Sequence, residues 1–148
     1  MDERIYQIAL SILNKLGPIK GRLLLNKIGS LEGVFQEKST HLIQIEGISQ
    51  QILRNLDRKA ALIRAEEELQ FIEDSNIQLY YFDDPNFPSK LKECIDSPIV
   101  LFTLGKVNFN QRNISIVGTR KSTSYGKKMV DELVSDLAPM PCAKPLMI

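Results

Sequence analysis

The residues best suited to chemistry are Val117-Gly118-Thr119-Arg120-Lys121-Ser122. They follow an apolar run, Ile114 to Val117, and precede a helical pattern that starts at Tyr125. A turn between the carboxyl end of a buried strand and a helix N-terminus presents unpaired backbone N–H groups and partial positive charge. Gly118 lets the backbone approach a ligand closely. Thr119, Ser122 and Ser124 add hydroxyl donors, and Arg120 brings a planar fork that matches a phosphate. The pattern therefore suits an anion, most of all a phosphate, with Gly118, Thr119, Arg120, Lys121 and Ser122 lining it. It is neither the GxxxxGKS/T phosphate loop nor the GxGxxG dinucleotide fingerprint. A glycine turn closed by a capping hydroxyl accounts for the same residues without any ligand.

Charge adds to the first reading. The net charge of +1 predicts no partner by itself, but its distribution is uneven. No acid occurs between Asp96 and Asp131, while Lys106, Arg112, Arg120, Lys121, Lys127 and Lys128 all fall there. Such a stretch makes a local positive field in a near-neutral protein, or simply a solvated basic face.

Two further joints have a shape suited to phosphate. Leu16-Gly17-Pro18-Ile19 and Ile45-Glu46-Gly47-Ile48-Ser49 resemble helix-hairpin-helix turns, in which first-turn amides hold a DNA phosphate without reading sequence. Glu46 sits inside the second turn and only Lys20 and Arg22 follow the first. Packing or protein contact competes with DNA contact there. For catalysis no constellation assembles. Glu66, Glu67 and Glu68 read as a solvated helix face, and Asp83 and Asp84 as turn residues. His41 reads as a surface or helix-start residue, and Cys94 and Cys142 as ordinary thiols outside any metal-ligand spacing. No cofactor, no metal and no enzymatic activity are expected.

The elements that must position these residues divide the chain in two. Residues 1–75 read as helical throughout. Ile5, Ile8, Ala9, Ile12, Leu13 and Leu16 recur at helical spacing. Gly17-Pro18 breaks that helix and opens a second, which runs through Leu23 to Ile28 and stops at Gly29. Ser30 and Ser49 are placed to cap short helices, and a last one runs from Arg58 to Asp74. From about residue 76 the pattern changes. Gln78 to Phe82 reads as a strand, followed by a turn and a brief helix around Leu91. Ile99 to Leu104 reads as a strand buried on both faces. Ile114 to Val117 is a second such strand, and Met129, Val130, Leu133, Val134 and Leu137 mark the helix after the turn. The strand, glycine loop and helix suggest the opening unit of a doubly wound α/β domain. The composition, 43% hydrophobic and 25% charged, is that of a globular protein. No apolar run reaches the roughly 18–20 residues of a membrane span, and no targeting segment precedes the first helix, so a cytoplasmic location is expected.

Three segments, taken in order, resemble the DprA/Smf family of DNA-processing proteins. Tyr80 to Leu91, carrying Asp83-Asp84-Pro85-Asn86-Phe87-Pro88, is similar to that family's "D..YP..L" stretch. Ile95-Asp96-Ser97-Pro98-Ile99-Val100-Leu101-Phe102-Thr103-Leu104-Gly105 looks like its "I.DPP.VLF..G", and Ile114 to Gly126 like its "IAIVGTR..S.YG". The helical half resembles the family's helix-hairpin-helix (SAM-like) domain. The resemblance implies a fold of α plus α/β type. Residues 1–75 would be the helical domain, 76–138 the first, incomplete part of a Rossmann-like domain, and 139–148 a divergent proline-containing tail.

It also implies binding of single-stranded DNA and loading of a RecA-type recombinase during DNA processing and natural transformation. Arg120 is then the leading DNA contact, and a homodimer is expected for the full-length family. The family's next motif, "SGGA.GID..AH", is not found, so a truncated reading frame with impaired activity is expected. The alternatives are a helical protein–protein interaction module and the remnant of an enzyme like the nucleotide-processing phosphoribohydrolases.

Overall fold

A computed structural model describes residues 1–13, 16–105, 107–109, 119 and 121–137. The chain forms two compact units, Met1–Val107 and Asn108–Ile148. The first contains helices α1 (Glu3–Ile12), α2 (Gly17–Ile28), α3 (Leu31–Gln36), α4 (Ser39–Leu42), α5 (Gln50–Arg54) and α6 (Arg58–Asp74). Strand β1 (Ile77–Tyr81), helix α7 (Ser89–Lys92) and strand β2 (Val100–Leu104) complete it. The described helix of the second unit is α8 (Ser124–Leu137). No described helix is long and apolar enough to cross a membrane.

Local chemistry accounts for most of the boundaries. Asp2, Ser30, Ser49 and Asp57 each accept a hydrogen bond from a first-turn amide, that of Arg4, Gly33, Ile52 and Ala60 respectively. Gly29 ends α2 in the left-handed conformation, φ +86°, and its N–H donates to Leu25 O. The expected run of α1 to Leu16 stops earlier, at Ile12. Leu13 and Leu16 are still buried, but they lie outside the helix. Pro18 disfavours helical backbone at the residue before it, and Gly17 takes φ +67° instead.

The core is built on α1. Ile8 and Ala9 are fully buried and Leu10 nearly so, and the helix packs on α6, α3, α2 and β2. Small residues, Ala9 on α1 and Ala65 on α6, are both fully enclosed, which lets two packed helices approach closely. Arg4 spans the start of α1 and the end of α6, pairing with Asp2 and, at 2.8 Å, with Glu73. At the other end of α6, Arg58 donates to Val34 O (3.2 Å) and Glu37 O (2.6 Å), placing positive charge on the C-terminus of α3.

The strands depart from expectation. β2 is not buried on both faces: Phe102 is 48% and Leu104 81% exposed. It pairs antiparallel with β1, from Ile77 opposite Leu104 to Tyr81 opposite Val100. An antiparallel pair needs cover on one face only, so the continuous apolar run overstated its burial. β1 packs on α6 and β2 on α1, so the expected change of domain near residue 76 falls inside one compact unit. The second expected strand, Ile114–Val117, and the tail 139–148 lie outside the described residues.

Arg22 holds this joint. Its guanidinium, half-buried on α2, donates to Ser97 O, to Pro98 O at 3.4 Å and to Cys94 O at 3.5 Å. It also stands 4.9 Å from the Phe82 ring centroid. The loop that delivers β2 is thereby tied to a helix some 70 residues earlier. Gly21, beside it, is a close-approach position: a Cβ there would come within 2.7 Å of Ile99 Cδ1.

Two outcomes follow. Arg22→Ala strands three carbonyls and is expected to destabilise the fold by about 2 kcal/mol in urea unfolding, with Arg22→Lys recovering little because an ammonium cannot fork. An Arg22→Ala variant as stable as wild type would remove this role. Tyr81 is 7% exposed, and its phenol has no hydrogen-bond partner among the described residues. Burial, helped by the nearby charges of Asp83, Glu3 and Asp84, holds that phenol well above its ordinary range. The folded state keeps the proton, whereas the unfolded chain releases it near pH 10. This contribution is full below that pH and is lost as pH rises beyond it. Tyr81→Phe is thus expected to be neutral to about 1 kcal/mol stabilising at pH 7, and to unfold less steeply between pH 9 and 11.

Candidate nucleic-acid interface

The turn before α8 is built from small polar residues that use up part of their own capacity. Thr119 Oγ1 donates to Lys121 O at 3.1 Å, so this hydroxyl stiffens the turn. Lys121, Ser122 and Thr123 are exposed. Thr123 then starts the helix. Its Oγ1 accepts from Gly126 N at 3.1 Å and its carbonyl from Lys127 N at 3.0 Å. Ser124, read from sequence as part of the loop, belongs to the helix.

The two first-turn amides after that cap, on Ser124 and Tyr125, have no intrahelical acceptor. They leave partial positive charge at an end whose first turn carries no acid. Lys127 and Lys128 are exposed one turn further on, Lys128 within 3.7 Å of Glu132. The arrangement is an electropositive, solvent-facing helix start, suited chemically to an anion. Of the five residues picked from sequence, Thr119, Lys121 and Ser122 are described here, and Gly118 and Arg120 lie outside the described residues.

Two residues escaped sequence reasoning. Thr123 is the cap, and a hydroxyl just before the helical spacing signals such a role. Tyr125, 71% exposed at the head of α8, offers an aromatic face beside the cationic turn. In sequence it marks only the start of the helix, since its exposure is set by the fold.

The helical half gives a different picture. Gly17 and Gly47, at φ +67° and +89°, make the two tight turns between helices. Beside the second lies a groove of about 880 Å³ floored by Leu23, Leu42 and Ile45. Glu37 and Glu46 stand on its rim with Lys27 and His41. The Lys38 amide, and then the His41 ring 2.7 Å away, hold the Glu37 carboxyl below its usual range. A rim with two carboxylates is a poor seat for a phosphate. His41 itself is exposed on α4, and among the described residues no three His, Cys, Asp or Glu side chains converge as a metal site would require.

Comparison with known proteins bears on the same stretch. Residues 78–143 match the family model described as DNA recombination-mediator protein A. Protein Smf of Synechocystis is 25% identical over 132 residues, covering 86% of this chain and 33% of that protein. The DNA processing protein DprA of Bacillus subtilis is 42% identical over 53 residues, 34% of this chain and 18% of that protein. The chain thus spans a third or less of the relatives it matches. The segments around Asp84, Pro98 and Gly118 all fall within the matched residues, and over that stretch the chain is similar to the DprA/Smf family of DNA-processing proteins.

Proposed function

We propose that the chain serves DNA processing as a binder of single-stranded DNA, with the Gly118–Ser122 turn and the head of α8 as the contact. The observation that carries this is the open helix start. First-turn amides, exposed Lys121 and Lys127 and an exposed Tyr125 share one end of α8, with no acid in its first turn. Backbone amides and cations hold phosphates without regard to sequence, and an aromatic face stacks on any base. Arg120 supplies the fork for a phosphate, and Gly118 the close approach. The role is one of binding, not catalysis. Loading of a RecA-type recombinase onto the bound strand is the wider activity to which it contributes, in keeping with the words "recombination-mediator" in the family's description.

In this reading the α/β part is the start of a Rossmann-like domain. The helical part is a helix-hairpin-helix (SAM-like) module whose turns at Gly17 and Gly47 serve packing and protein contact. The acidic rim beside Gly47 favours that assignment over DNA contact there.

Titrating single-stranded oligonucleotide binding against salt tests the proposal. Arg120→Ala and Lys121→Ala are each expected to weaken binding for every sequence and to lower the salt slope by about one. Tyr125→Ala should cost about 1–3 kcal/mol of affinity while leaving that slope alone. A chain with no affinity for single strands at low salt, or an Arg120→Ala variant with an unchanged slope, would refute the assignment.

A further inference from the structure

Phe102 of β2 is 48% exposed, and a cavity of about 350 Å³ opens beside it. Half-buried Pro18 and Pro98 and the buried Ile99 and Val100 supply the rest of its apolar lining. Arg22 donates to the carbonyls of Ser97 and Pro98, which fixes this part of the wall before any ligand arrives.

Two polar residues, Ser11 and Asp96, also line the cavity, and both can only accept. The Ser11 hydroxyl gives its proton to Ile8 O at 2.7 Å, so its oxygen has lone pairs alone to offer. Asp96 is exposed, and its carboxylate enters no hydrogen bond or ion pair among the described residues. No Lys, Arg or His is among the described residues of the lining. What fits is a group with apolar faces, for Phe102 and the prolines, and N–H donors on its edge.

We propose that the cavity takes the base of an unpaired guanine in a DNA strand, which rests on the reading of the chain as a binder of single strands. Among the four bases guanine alone presents two adjacent donors, N1–H and the 2-amino group, on its pairing edge. One carboxylate accepts both at once. Adenine and cytosine set a ring-nitrogen acceptor beside their amino group, and thymine flanks its single N–H with two carbonyls. Each of these places a lone pair against Asp96. In a duplex the guanine edge is already bonded to cytosine, so only an unpaired base can enter. The grip at the turn before α8 is indifferent to sequence, and the cavity adds a modest preference of its own. An arginine from a protein partner carries similar donors, but its guanidinium is smaller than a fused two-ring base and fills less of the space.

The test titrates the full chain with oligothymidine strands of about 15 nucleotides that carry one central guanine, hypoxanthine or thymine. Guanine is expected to bind about tenfold tighter than thymine, and hypoxanthine, which lacks the 2-amino group, to fall between. Annealing a complementary strand should remove the preference. Asp96→Asn, which leaves one acceptor, and Phe102→Ala should each erase it too. Both side chains are exposed, so the urea midpoint and the affinity for pure thymine strands should stay at wild-type values. Strands bound without regard to the central base, or a preference that survives Asp96→Asn, would overturn this assignment alone and leave the turn before α8 to the Arg120→Ala comparison. No affinity for any strand would overturn both. Deoxyguanosine by itself should shift the backbone amides of Ser11 and Phe102 in NMR spectra, and should not do so in Asp96→Asn. Larger shifts there from N-acetylarginine amide would give the cavity to a peptide and reject the base.

Discussion

One guanidinium holds the larger unit together across its two kinds of secondary structure. Arg22 gathers the carbonyls of the loop before β2 and covers the Phe82 ring at the end of β1. Without such a tether, a two-stranded sheet has little to keep it in place, since an isolated pair of strands is marginal in water. With it, α2 is joined to the Cys94–Pro98 loop that leads into β2, and the sheet packs on α1 and α6. The cost is a dense pocket of polar atoms. Arg22 Nε, Tyr81 Oη and Ser97 Oγ are buried without hydrogen-bond partners among the described residues.

The candidate interface on α8 depends on a different economy of hydrogen bonds. Thr123 satisfies one amide of the first turn and Thr119 braces the turn against itself. The amides of Ser124 and Tyr125 have no intrahelical acceptor. The helical half has left-handed glycine turns at Gly17 and Gly47, and the groove beside the second carries Glu37 and Glu46 together with Lys27 and His41. The head of α8 and the groove beside Gly47 therefore differ in charge: the first turn of α8 carries no acid, the groove carries two.

Much of this was legible in the sequence because the relevant signals are local. Ser30, Ser49 and Gly29 act within one turn of the chain and ended or began helices where their chemistry said they would. The motifs around Asp84, Pro98 and Gly118 were enough to point to the family whose model matches residues 78–143. What escaped depends on partners distant in sequence. Nothing in the string around Arg22 announces that three carbonyls will come to it, because carbonyls carry no residue identity. β2 looked fully buried because apolar residues on the open face of an antiparallel pair read like those of a core strand. The exposure of Tyr125 was not legible either, because a helix start does not say which way its first side chains face. Gly118 and Arg120, the centre of the sequence argument, lie outside the described residues.

The absence of a side chain at position 21 has a consequence for what this joint can accept. The terminal methyl of Ile99 fills the volume that any β-carbon on Gly21 would need. Position 21 belongs to the helical half and position 99 to the segment that enters the sheet, so a side chain at 21 would be felt across the joint. A β-carbon there would first turn the Ile99 methyl aside, so the wall between helix and sheet would be remade from the side chain of a single isoleucine.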